Sequence, residues 1–152
     1  MPRSEFSRRL EVARPPSGCW PVLTDVERLV GWVSVLEDAQ ELEHLRRYTA
    51  VLMDRLGPFR LRADMAISVQ DVEEGRHVAV HAEGEDRQVG SRLVVDATLD
   101  LEQEGEGSAV TIAGSYEVTG RVASMGAGTI RKKADKILDD FFASVSTELG
   151  RP

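Results

Sequence analysis

Seven stretches of this chain alternate apolar and polar residues, and a single long segment of helical period follows them at the C-terminus. Side chains on a strand point alternately to opposite faces, so alternation of this kind implies a sheet with one buried face and one wet face. A strongly curved antiparallel sheet cannot close its concave face on itself. One long helix laid across that face can, and any gap left beneath the helix becomes an apolar cavity. The order of the segments therefore points to binding something greasy before it points to catalysis.

The predicted strands are Phe6 to Val12, Trp32 to Glu43, Arg47 to Leu56, Phe59 to Val72, Arg76 to Gly84, Ser91 to Glu102 and Ala109 to Thr119. The second is ambiguous, because Glu37 to Glu43 also suits a helix; the strand is preferred because Gly31 precedes it and the next strand needs a partner. Gly57-Pro58, Glu73-Glu74-Gly75 and Glu104-Gly105-Glu106-Gly107 supply turns. Two short helices are expected after the first strand, Gly18 to Leu23 and Val26 to Val30, the second capped by Thr24 or Asp25. From about Val122 the period changes from two to 3.6. Ile130, Ala134, Ile137, Leu138, Phe141, Phe142, Val145 and Leu149 fall within an arc of roughly 140° at about 100° per residue. Lys132, Lys133 and Lys136 are expected on the opposite face, with Asp139 and Asp140.

Charge and composition narrow the function. A formal net charge of -7 argues against a nucleic-acid partner, whose phosphates are met by basic residues. With 152 residues, 41% hydrophobic and 30% charged, the expectation is one soluble domain spanning 1-152. The start lacks the apolar core of a signal peptide, and no apolar run approaches the roughly 20 residues of a spanning helix. A cytoplasmic protein is expected, with any membrane contact peripheral, at the inner face. Cys19 stands alone, so it reads as a small buried hydrophobe.

No catalytic motif emerges. His77 and His81 share a strand face, which suits a solvent-facing pair better than half a metal site. Gly120 to Gly128 is glycine-rich but is neither a P-loop nor a dinucleotide fingerprint. Its plain reading is a tight sheet-to-helix turn; the alternative is that small residues leave room for a ligand. No metal or cofactor is expected, and no catalytic residue is assigned. Asp54 and Arg8 are the only charged groups that alternation turns inward.

The middle residues of the inward rows and the sheet-facing helix positions define a candidate cavity lining. These are Tyr48, Leu52, Met65, Ile67, Val80, Leu93, Val95, Tyr116, Met125, Ile130, Ile137 and Phe141, with Trp32 at a candidate mouth. The Tyr48 and Tyr116 hydroxyls need partners if buried, and either is a natural handle for a ligand carbonyl. Arg131, Lys132, Lys133 and Lys136 form a candidate contact for acidic lipid headgroups or a partner.

Four segments carry a resemblance to a known family: Trp20-Pro21-Val22-Leu23-Thr24-Asp25-Val26-Glu27-Arg28-Leu29, Tyr48 spaced before Leu56-Gly57-Pro58-Phe59, Gly120-Arg121-Val122-Ala123-Ser124-Met125-Gly126, and Leu138-Asp139-Asp140-Phe141-Phe142. In this order and spacing the chain resembles the G-subunit family of carbon monoxide dehydrogenase, within the START/Bet v 1-like (SRPBCC) superfamily. The resemblance implies an α+β helix-grip fold: a seven-stranded antiparallel sheet curled around a long C-terminal helix, with two short helices after strand one. It also implies a hydrophobic ligand cavity, no fixed catalytic residues, and a link to molybdenum hydroxylases of the carbon monoxide dehydrogenase type. The expected role is a non-enzymatic binder of a lipid- or quinone-like molecule, acting as accessory or carrier for such a redox enzyme. The alternatives are a cyclase- or dehydratase-like enzyme using the same cavity, and a protein-interaction module with a filled core. Two stretches depart from the family pattern. A Pro-Gly pair is replaced by Gly31-Trp32-Val33-Ser34-Val35-Leu36, and a glycine-rich loop by the charged Gly84-Glu85-Asp86-Arg87-Gln88-Val89-Gly90.

Overall fold

A computed structural model describes residues 3–152. Seven strands run as β1 (Ser4–Val12), β2 (Leu36–Glu43), β3 (Arg47–Leu56), β4 (Phe59–Glu73), β5 (His77–Asp86), β6 (Ser91–Glu104) and β7 (Gly107–Gly120). They form one antiparallel sheet in the order β1-β7-β6-β5-β4-β3-β2. Every neighbour from β2 to β7 follows in sequence through a short turn. Only β1 joins out of order, pairing with β7. Helices α1 (Pro16–Leu23) and α2 (Val26–Gly31) fill the crossover from β1 to the far edge of the sheet, and α3 (Ala127–Leu149) follows the last strand.

Local chemistry sets the short helices. Pro16 stands in the first turn of α1, where a missing N–H costs nothing. The Asp25 carboxylate accepts from the Arg28 N–H at 3.4 Å and caps α2, and Glu27 lies favourably in its first turn.

Several boundaries differ from the sequence reading, and β1, α1 and α2 each extend one or two residues beyond it. Trp32 to Val35 is not strand: the Trp32 and Val33 N–H groups still bond to Leu29 and Val30 carbonyls, so the chain unwinds from α2 before β2 begins at Leu36. The terminal helix does not begin at Val122. Arg121–Met125 is a short 3-10 helix, and Gly126, at φ 94°, breaks the path before α3 starts at Ala127. Finally, β4 to β7 run one or more residues longer than the alternation indicated.

The interior is packed unevenly along α3. Its C-terminal half, Phe141, Val145 and Leu149, is buried with Val12, Cys19, Leu23, Leu101, Val110 and Ile112. A second cluster, Val30, Tyr48, Ala50, Ile67, Val69 and Val78, fills the space beneath α2 and β2. Neither cluster reaches the N-terminal half of α3, and a void remains there.

A candidate ligand cavity under the first half of the terminal helix

The void measures about 350 Å³ and is lined almost wholly by apolar groups. Its roof is Ile130, Lys133, Ala134, Ile137 and Leu138 of α3, with Val122 of the 3-10 helix. These positions continue the apolar arc that Phe141 and Val145 bury one and two turns later. Its floor is a band of inward residues across the sheet: Leu52, Leu56, Leu61, Ala63, Met65, Ala82, Leu93, Val95, Tyr116 and Val118, with Phe6 from β1. Cross-strand register gathers them, since Leu52 faces Ala63, Leu93 faces Val118, and Val95 lies between Ala82 and Tyr116. Gly84 stands opposite both Met65 and Leu93; a Cβ there would collide with the Met65 sulfur, so glycine is what lets that thioether lie across the floor.

Seven of the positions expected to line a cavity do so: Leu52, Met65, Leu93, Val95, Tyr116, Ile130 and Ile137. Six lie elsewhere. Tyr48 and Ile67 are buried in the cluster under α2, with Val80 packed against it. Phe141 is core, and Trp32 meets its ring edge-on at 5.9 Å instead of standing at a mouth. Met125 reaches over the β3–β4 turn, its Cε beside Gly57. The reasons differ by element. Tyr48, Ile67 and Val80 face inward where α1 and α2 pack on the sheet, Trp32 and Phe141 pack against each other at the core, and Met125 belongs to the 3-10 helix, outside both periods. Val33, Val35 and Leu36 line the cavity and were missed, because Trp32 to Glu43 reads ambiguously as strand or helix and carries no pattern that marks a wall.

The polar groups at the lining are nearly all committed. Asp54 and Lys133 form an ion pair at 3.0 Å, with side chains only 17% and 32% exposed. This corrects the placing of Lys133 on the outer helix face. Four residues before Ile137, it stands about 40° from it around the helix and sits on the shoulder of the apolar arc, where its stem packs while the amine reaches β3. The Asp86 carboxylate accepts from the Arg62, Val89 and Gln88 N–H groups, which hold it below the usual carboxylate range. Ser91 accepts from the Val122 N–H, and Arg92 turns to Glu83. Arg8, expected inward, instead ties β1 to α3 through Asp139 at 2.7 Å and Asp135 at 3.5 Å.

The two tyrosines differ sharply. The Tyr48 hydroxyl accepts from the Leu45 N–H at 2.7 Å and donates to Glu41 at 3.2 Å. The Tyr116 hydroxyl is buried without a partner, and the ring stacks beside Phe6 with centroids 6.4 Å apart.

Outside the cavity, the basic cluster on α3 is divided. Arg131 donates to the Glu5 carbonyl and Lys136 pairs with Asp140, which leaves Lys132 exposed between them. On the opposite face of the sheet, His77 meets Asp100 at 2.6 Å, and His81 meets Asp96 at 2.6 Å and Glu83 at 2.8 Å. These carboxylates raise both imidazole pKa values. Among the described residues no group of three or more His, Cys, Asp or Glu is arranged to hold a metal ion, and no helix is long and apolar enough to cross a membrane.

A seven-stranded antiparallel sheet gripping one long helix over an apolar gap is the helix-grip fold of START/Bet v 1-like proteins. Solved structures agree: a conserved protein from Geobacillus kaustophilus aligns with TM-score 0.81 at 21% identity, over 97% of this chain and 95% of that one. A START superfamily protein from Mycobacterium smegmatis aligns with TM-score 0.69 at 11% identity, over 95% and 96%. Residues 9–150 match the model of the carbon monoxide dehydrogenase G-subunit family (CoxG), and the chain belongs to that family. No curated protein matches it in sequence.

Proposed function

We propose that this protein is a non-enzymatic carrier of a lipid- or quinone-like small molecule, serving as accessory to a molybdenum hydroxylase of the carbon monoxide dehydrogenase type. The observation that carries the reading is the apolar cavity of about 350 Å³. It falls in the range of small-molecule pockets, and a core meant only for stability would be filled, as the rest of this one is. Family membership supports the redox-enzyme partner. A non-catalytic role is supported by the lining itself: Asp54 is neutralised by Lys133, and the Asp86 oxygens are taken by backbone amides, so neither is poised to move a proton. Contact with an anionic bilayer through Arg131, Lys132 and Lys136 would be weak and salt-sensitive, at about 1 kcal/mol per basic residue.

The test is native mass spectrometry of freshly purified protein, followed by solvent extraction. A co-purifying apolar molecule that is lost on denaturation is the expected result. Protein that carries no such mass and binds no neutral apolar dye would overturn the reading.

A further inference from the structure

Two observations at the cavity bear on what it accepts. The first is charge balance. Four charged side chains reach the lining, two acidic and two basic: Asp54, Asp86, Arg92 and Lys133. Lys133 is neutralised by Asp54, Arg92 is drawn to Glu83, and Asp86 is held by three backbone N–H groups. Among the described residues, no cation at the lining is left without a carboxylate partner to receive an anionic headgroup. A carboxylate entering here would lose its hydration and gain no counter-charge, unless it broke the Asp54–Lys133 pair and stranded Asp54.

The second is the Tyr116 hydroxyl. Among the described residues it is the one buried side-chain polar atom with no hydrogen-bond partner. Tyr116 is 8% exposed and belongs to the cavity wall. A buried donor without an acceptor is costly, and native structures hold few of them. No hydrogen bond holds this hydroxyl, so its O–H can rotate toward an acceptor that a ligand brings against it without breaking an existing bond. Tyr48, on the same inward face, differs: its hydroxyl is used by the hairpin it closes.

We propose that the cavity selects an uncharged, largely apolar molecule bearing a carbonyl- or ether-type oxygen, and that the Tyr116 hydroxyl donates a hydrogen bond to that oxygen. This rests on the carrier reading above and adds the class of ligand and the residue that recognises it. Phe6 holds the Tyr116 ring from one side, and Val95, its cross-strand neighbour, offers apolar wall on the other. The apolar body of the ligand supplies affinity, and the single hydrogen bond supplies selection among molecules of similar size.

The experiment displaces Nile red from the purified protein with three probes of similar length: undecane, methyl nonyl ketone and undecanoate at neutral pH. Three proteins are compared: wild type, Tyr116→Phe and Asp54→Asn. Tyr116→Phe is expected to weaken the ketone about fivefold to tenfold, the worth of one hydrogen bond, and to leave undecane unchanged. A change in wall shape alone would weaken both. Wild type is expected to bind undecanoate more weakly than the ketone, and Asp54→Asn to strengthen undecanoate by freeing Lys133. Equal ketone affinity in wild type and Tyr116→Phe overturns the role of Tyr116. Undecanoate binding wild type as tightly as the ketone overturns the preference for uncharged ligands. Both results leave the carrier reading standing, whereas failure of wild type to bind Nile red or any probe overturns the carrier reading and this inference together.

Discussion

Removing one oxygen from each of the two tyrosines should change stability in opposite directions. In Tyr116→Phe the unfolded chain loses a hydroxyl that water solvates, and the folded chain loses a hydroxyl that nothing satisfies. The native state is relieved of the cost of burying an unpaired polar group, about 1–3 kcal/mol. We therefore expect the variant to be more stable than wild type, by about 1 kcal/mol once ring repacking is allowed for. In Tyr48→Phe the same deletion breaks a donation to Glu41 and leaves the Leu45 N–H without its acceptor. Leu45 sits at φ 52°, a backbone conformation that disfavours a leucine, and the Tyr48 hydroxyl helps to hold it there. Glu41 is largely exposed, so water recovers part of the loss, and a net destabilisation of about 1–2 kcal/mol is expected. Urea unfolding followed by circular dichroism measures both. The m-values should match wild type, because the surface exposed on unfolding is hardly altered. Destabilisation of Tyr116→Phe by more than about 0.5 kcal/mol, the lower bound for a lost hydrogen bond, would refute the reasoning and show that the hydroxyl has a partner in the folded protein.

Three further outcomes follow from the same structure. Phe141→Ala should cost about 3–5 kcal/mol in urea unfolding, because Phe141 is core and meets both Trp32 and Phe142 edge-on; a loss below about 1 kcal/mol would place it outside the core. Val95→Trp should fold and lose Nile red binding by filling the cavity between Ala82 and Tyr116, and undiminished binding by the folded variant would move the site elsewhere. Glu83 and Asp96 raise the pKa of His81, and Asp100 raises that of His77, so both favour the folded state fully below the ordinary histidine value of about 6.5. That contribution should fade as pH rises from there through the raised values. His81→Asn should flatten this part of the pH–stability curve, and an unchanged slope would show that the contacts are not maintained in solution.

The alternation of Phe59 to Val69 and of Leu93 to Leu101 determines by itself which side chains face inward, because a strand has only two faces and a one-residue slip would expose every apolar group. The period of 3.6 from Ile130 to Leu149 likewise determines that one helix must cover that face. The family segments, from Trp20 through Phe142, made the helix-grip arrangement legible from the chain alone. What the sequence does not carry is where along the sheet the cover lifts away. Tyr48 and Tyr116, Ile67 and Leu93, Phe141 and Ile137 are equivalent by pattern, yet the first of each pair is packed in core and the second borders the void. That outcome depends on the break at Gly126 that sets where α3 begins, and on α1 and α2 filling only one end of the sheet. It also depends on Gly84, which lets Met65 lie across the floor. The pairing of Lys133 with Asp54 belongs to the same category. It joins residues 79 positions apart on a helix shoulder and a strand end, and a distance of that kind exists only once the sheet has curved around the helix.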